Sequence, residues 1–141
     1  MTKKTQRVVV AGVLKRGQRV LLVQRGAQEK VFPNLWEFPS GKKELGEDCF
    51  QALKREFFEE VNLCIKPIAV LSVFDYVVNK GDERRETTQI NFLVKLQVGK
   101  KGTPSLSTEH QDYKWVTQKD LTGLHISKAT KKVLSLAFSN K

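Results

Sequence analysis

Two runs rich in β-branched residues open the chain, Arg7 to Leu14 (RVVVAGVL) and Arg19 to Gln24 (RVLLVQ), with the polar Lys15-Arg16-Gly17-Gln18 between them. This pattern predicts two strands joined as a hairpin, with the glycine in the turn. The polar stretch Gly26 to Asn34 reads as a loop. Trp36-Glu37-Phe38 alternates like a short strand, and Pro39 and Ser40-Gly41 stop it. Cys49 to Val61 contains no Gly or Pro, and Asp48 with Gln51 three residues on forms a capping box, so a long helix is predicted there. Ile68 to Val78 and Thr87 to Val98 read as strands that pair across the charged turn Asn79 to Glu86. After the loop Gly99 to Thr108, Tyr113 to Val116 alternates as one more strand. A closing helix is predicted from its N-cap Ser127, with Ala129, Val133, Leu136 and Ala137 as the buried stripe. Strands, helix, strands, helix in that order predict a mixed α/β or an α+β sandwich.

Composition narrows the class. At 141 residues, with no internal repeat and no low-complexity linker, the chain is expected to form a single domain over residues 1–141. Its 40% hydrophobic and 28% charged residues are those of a globular protein and exclude a disordered or fibrous one. Val8 to Leu14 reads as a buried strand and not as a signal-peptide core, because no small-residue cleavage site follows it. No apolar run approaches the roughly 20 residues of a membrane span. Cys49 and Cys64, too few for a disulfide framework and without a histidine cluster, are expected to be reduced thiols of a cytoplasmic protein. A net charge of +10 favours polyanionic partners such as nucleotides. The lysine-rich pieces Lys100-Lys101 and Lys128 to Lys132 lack interleaved aromatics and mark no dedicated nucleic-acid surface.

The chemistry concentrates in Gly41 to Leu63, GKKELGEDCFQALKREFFEEVNL. On a helix Glu56, Glu59 and Glu60 are related by i, i+3 and i, i+4 steps and share one face. Phe50, Phe57 and Val61 fall on an adjoining face, so the helix is expected to pack by its aromatic side and hold its acids along a cleft. Like charges on one face repel, and an ordinary solvated helix would scatter lysines among them. Hard oxygen donors gathered in this way suit Mg²⁺, with Mn²⁺ as a substitute. The histidines His110 and His125 lack ligand spacing and receive no role.

Gly41, Glu47 and the run Arg55-Glu56-Phe57-Phe58-Glu59-Glu60-Val61-Asn62-Leu63 resemble the signature box of the Nudix hydrolases, and every ionisable position of the box matches. Leu35 to Lys42 (LWEFPSGK) resembles the approach to that box in the MutT branch. Two positions depart from the pattern. Asn62 stands where the box has a glycine ending the helix, and Asn is the residue that next best tolerates the left-handed conformation. Ser40 replaces a glycine whose carbonyl contacts metal in the family, a contact that any residue can supply.

The resemblance implies the Nudix α/β/α sandwich, with a mixed β-sheet between helices. It implies a Mg²⁺-dependent pyrophosphohydrolase that cuts nucleoside triphosphates to a monophosphate and pyrophosphate, oxidised (d)NTPs such as 8-oxo-dGTP among them. Other nucleoside diphosphate-linked substrates (ADP-ribose, a dinucleoside polyphosphate or 5′-triphosphorylated RNA) remain open, as does a silent nucleotide sensor, although sensors usually lose box glutamates. Monomer and homodimer are both open. By the same resemblance Glu56, Glu59, Glu60 and the Ser40 carbonyl would hold metal, with Glu109 as an additional ligand. Glu56 would activate water, Arg55 would orient it together with Glu47, and Arg25 would clamp substrate phosphate. Trp36 or Phe38 would be available to pack against a base. The MutT branch reads 8-oxoguanine with an Asn near the start of the closing helix, whereas here Gly123 to Lys128 contains none.

Overall fold

In the computed structural model, which describes residues 2–139, the strands are β1 (Lys3–Arg16), β2 (Arg19–Arg25), β3 (Trp36–Glu37), β4 (Ser40–Lys42), β5 (Ile65–Lys80), β6 (Glu83–Leu96) and β7 (His110–Val116). The helices are α1 (Cys49–Val61) and α2 (Lys128–Ser139), and a 3-10 segment spans Gln118–Gly123. The strands form one mixed sheet in the order β3-β2-β1-β6-β5, with β4 added to β1 and β7 to β2. β1 is the hub. It runs parallel to β6 over Lys3↔Glu83 to Leu14↔Val94 and antiparallel to β4 over Val9↔Lys42 to Ala11↔Ser40. It meets β2 only beside the turn, where Gly17 takes φ +61.

The two faces of the sheet carry separate cores. On one, Val10, Leu14, Leu21 and Val23 pack with Ala52, Leu53, Phe57 and Val61 of α1. On the other, Ala11, Val13, Val20 and Leu22 pack with Trp36, Phe38 and the α2 residues Val133, Leu134 and Ala137. The sheet therefore lies between two helices, as the α+β sandwich requires. Gly12 is needed at the α1 contact, because a Cβ there would enter the Phe57 ring.

Several boundaries differ from those the sequence predicts. The charged stretch Asn79 to Glu86 is mostly strand: Lys80 pairs with Glu83, and the turn shrinks to Gly81-Asp82, with Gly81 at φ +58. Lys3 to Gln6 extend β1 by pairing with Glu83 to Glu86 of β6, where Lys3 faces Glu83 and the Thr5 hydroxyl donates to Glu83 at 2.6 Å. Ser40 and Gly41 do not stop a strand but begin β4, which borrows its hydrogen bonds from β1. Phe50 is exposed at the rim, with its ring edge-on to Phe92, while Phe57 and Val61 pack as expected, joined by Ala52 and Leu53. In α2 the Oγ of Ser127 accepts the Thr130 N–H at 3.1 Å as the expected cap, but Leu136 is exposed and Thr130 and Leu134 join the buried stripe. Among the described residues no helix is long and apolar enough to cross a membrane.

Candidate active site

Helix α1 is fixed at both ends. Asp48 Oδ1 accepts the Gln51 N–H at 2.8 Å and Gln51 Oε1 accepts the Asp48 N–H at 2.9 Å, which closes the predicted capping box. At the other end Asn62 has φ 57 and ψ 37, the left-handed residue that its place in the box calls for, and its N–H reaches Phe58 O at 3.0 Å. Held in this way, α1 turns the Glu56 carboxylate onto β4. Only glycine fits beneath it, since a Cβ on Gly41 would collide with that carboxylate. One turn later the buried Glu60 accepts the Ser40 N–H at 2.9 Å.

Arg55 ties these acids together. Its Nε and Nη2 grip Glu47 at 2.6 and 2.9 Å, its Nη1 reaches Glu56 at 2.7 Å and Glu59 at 3.3 Å, and Nη2 also donates to Lys42 O at 3.0 Å. A planar fork with this many acceptors holds one geometry. The contact drops the Glu47 carboxyl to about 2 and keeps Arg55 charged at all working pH. Burial raises Glu56, helped by the Glu59 and Glu109 carboxylates and opposed by Arg55. Burial also pushes Glu60 up to about 9; the carboxylates of Glu37, Glu56 and Glu109 add to the rise, and the Ser40 N–H opposes it.

A cleft of about 680 Å³ brings Glu56, Glu60, Glu109, Ser40 and Arg25 together. Glu59 is not on its lining. Its side chain is 55% exposed and turned to Arg55, so two carboxylates of α1 converge on the cleft and not the expected three. Among the described residues no group of three or more His, Cys, Asp or Glu side chains is drawn tightly enough to cage a metal unaided. The donors nevertheless fit a hard divalent ion: Glu60 is buried against three other carboxylates with only a backbone N–H for relief. Mg²⁺ is ordinarily held by one or two carboxylates, with substrate phosphates and waters completing its shell. Arg25 is aimed by a bulge at Gln24/Arg25, and it donates to Val31 O at 3.0 Å and faces Glu37 at 3.5 Å.

Sequence reasoning missed part of this cleft. Glu37, placed between two core aromatics, points into it, and the buried His110 sets Nε2 3.1 Å from Glu37 Oε2. The alternation Trp36-Glu37-Phe38 was the available signal for Glu37; nothing in the sequence pairs residue 110 with it. Arg7, Tyr76 and Arg85 also line the cleft, brought there by the register of β1, β5 and β6. Trp36 and Phe38 are core residues, 5% and 1% exposed, and so present no face to a base.

A mixed sheet between two helices, with the first helix laying an arginine-anchored glutamate and a buried one along a polar cleft, defines a protein of the α/β/α sandwich class. Comparison with known proteins then gives the family. The NUDIX domain matches residues 3–136, and the chain belongs to the Nudix hydrolase family. It is similar to the nucleoside triphosphatase NudI of Escherichia coli, 30% identical over 135 residues that cover 93% of this chain and 96% of NudI. In structure it is similar to the MutT protein of Methanosarcina mazei Go1 (TM-score 0.83, 19% identity, covering 100% of this chain and 99% of that one). It is likewise similar to the MutT NUDIX hydrolase of Burkholderia pseudomallei (TM-score 0.77, 23% identity, 93% and 97% covered).

Proposed function

We propose that the chain acts as one catalytic domain, a cytoplasmic Mg²⁺-dependent pyrophosphohydrolase that cleaves nucleoside triphosphates to a nucleoside monophosphate and pyrophosphate, with Mn²⁺ able to substitute. The observation that carries this reading is the pair Glu56 and Glu60 facing the cleft, with Glu56 locked by Arg55 at 2.7 Å. The likeness to an E. coli nucleoside triphosphatase over nearly the whole chain supports the substrate class.

Glu56, Glu60 and the Ser40 carbonyl would hold the divalent ion, with Glu109 at the opposite lip and Glu59 at the rim. When bound, the ion neutralises phosphoryl oxygens and makes water a better nucleophile. Glu56 then takes the proton of the attacking water while the water oxygen bonds to phosphorus. The bridging P–O bond breaks in line, and its electron pair leaves with the departing phosphate group. Arg55 keeps Glu56 aimed throughout. Arg25 binds phosphate oxygens through its paired donors.

The test is product release from a panel of ribo- and deoxynucleoside triphosphates, with Mg²⁺ and with EDTA. Pyrophosphate and monophosphate should form with Mg²⁺ and stop on chelation. Cleavage confined to ADP-ribose, a dinucleoside polyphosphate or 5′-triphosphorylated RNA would replace the substrate, and tight nucleotide binding without turnover would make the protein a sensor.

A further inference from the structure

The far end of the cleft is cationic. Arg7, Thr87 and Tyr76 stand in one row across β1, β6 and β5, and Arg85 lies one row on, diagonal to Arg7, on the same cleft-lining face. The two guanidiniums differ in their surroundings. Arg85 is satisfied: its Nη2 and Nε meet both oxygens of Glu83 at 3.0 and 3.2 Å, and Glu83 also accepts the Thr5 hydroxyl at 2.6 Å. Arg7 is half-buried, and among the described residues its guanidinium makes no hydrogen bond or ion pair. Its charge is disfavoured first by burial and then by Arg85, only partly offset by Glu83, which Arg85 already holds.

A half-buried guanidinium beside a second one lacks a counter-anion. A neutral base edge could fill its donors but would leave the repulsion between the two arginines in place. A phosphoryl group answers both. Arg7 lies four residues along β1 from Ala11, the partner of Ser40, which is roughly 13 Å of strand. Arg7 and the glutamates line the same cleft, so its two ends can face different phosphoryl groups of one extended polyphosphate chain.

We infer that Arg7, backed by Arg85, is an anion subsite that binds a second phosphoryl group of a polyphosphate substrate at the end of the cleft away from the glutamates. The inference deepens the pyrophosphohydrolase reading and rests on it for the choice of substrate. Calorimetric binding of inorganic pyrophosphate to the full chain in Mg²⁺ tests it without requiring turnover. Arg7→Gln should weaken binding about tenfold or more, the range of a charged hydrogen bond, and Arg7→Lys should restore part of it. The control is Arg84→Gln, which removes the same charge from the neighbouring β6 residue on the opposite face, paired with Glu86 at 3.5 Å, and should bind as wild type.

With a hydrolysed nucleoside triphosphate, Arg7→Gln should raise KM by a similar factor with kcat little changed. The variant's melting temperature should stay level or rise, because it relieves a repulsion; a fall would mark Arg7 as merely structural. Wild-type affinity in Arg7→Gln, equal weakening in Arg7→Gln and Arg84→Gln, or no pyrophosphate binding by the wild type would each overturn the inference. If no nucleoside triphosphate is cleaved yet the pyrophosphate pattern holds, the subsite stands and the substrate reading alone fails.

Discussion

At the scale of single residues, what separates Glu56 from an ordinary surface glutamate is how little freedom it has. It is set against Gly41, held by Arg55 and raised by burial. Glu56→Gln keeps the shape and removes the basicity, so kcat should fall by about 10²–10⁴ with an unchanged melting temperature. Near-normal turnover at saturating Mg²⁺ would remove Glu56 from the role. Glu47 belongs to stability as well as to orientation. Its folded pKa of about 2 lies below the ordinary carboxylate value, so its contribution is fully present above about pH 4.5 and is lost as pH falls toward 2. Acid denaturation followed by circular dichroism should show a shallower loss across that window in Glu47→Gln than in wild type. Asn62, at φ 57, tests the helix end. Asn62→Gly should be neutral or mildly stabilising, and Asn62→Val should cost about 1–2 kcal/mol, read as a lower melting temperature.

At the scale of elements, the site depends on β4 and α1 approaching so closely that one hydrogen atom is all the space at Gly41. Gly41→Ala should displace the Glu56 carboxylate and depress turnover nearly as far as Glu56→Gln does, with the midpoint of chemical denaturation changed far less than the rate. Helix α1, its caps and the positions of Glu56, Glu60 and Arg55 were legible in the sequence, because helical spacing and capping are local. Strand β4 was not, since Pro39-Ser40-Gly41 looks like a breaker until β1 supplies its partner. Glu59 was misplaced for a related reason. Sharing a helix face does not decide whether a side chain points to the cleft or to Arg55, and the shared arginine decides it. Arg7 and Tyr76 were illegible because cross-strand register joins residues tens of positions apart. The start of α2 bears on the base. The Ser127 hydroxyl is occupied with the Thr130 N–H and hydroxyl, and Gly123 to Lys128 do not line the cleft. Preference for 8-oxo-dGTP over dGTP in kcat/KM should therefore stay below about a thousandfold, the discrimination that calls for a dedicated polar pocket. A larger ratio would mean that residues elsewhere read the oxidised base.

At the scale of the whole molecule, the cleft has two opposite ends on one scaffold, with carboxylates where α1 meets β4 and arginines where β1 runs beside β6. Both ends rest on β1, which is also the first strand to be made. Its parallel partner begins at Glu83, opposite Lys3, so 83 − 3 = 80 residues must be added before that pairing can start. At about 5–20 residues per second of synthesis, the nascent chain spends roughly 4–16 s with VVVAGVL lacking that partner, when β4 can cover only Val9 to Ala11 of this uncharged apolar run, of the kind that aggregates. Arg7 and Lys15 bracket that run as charged gatekeepers during this interval. The arginine at the far end of the cleft is thus also one of the two charges that close off the apolar run of the central strand.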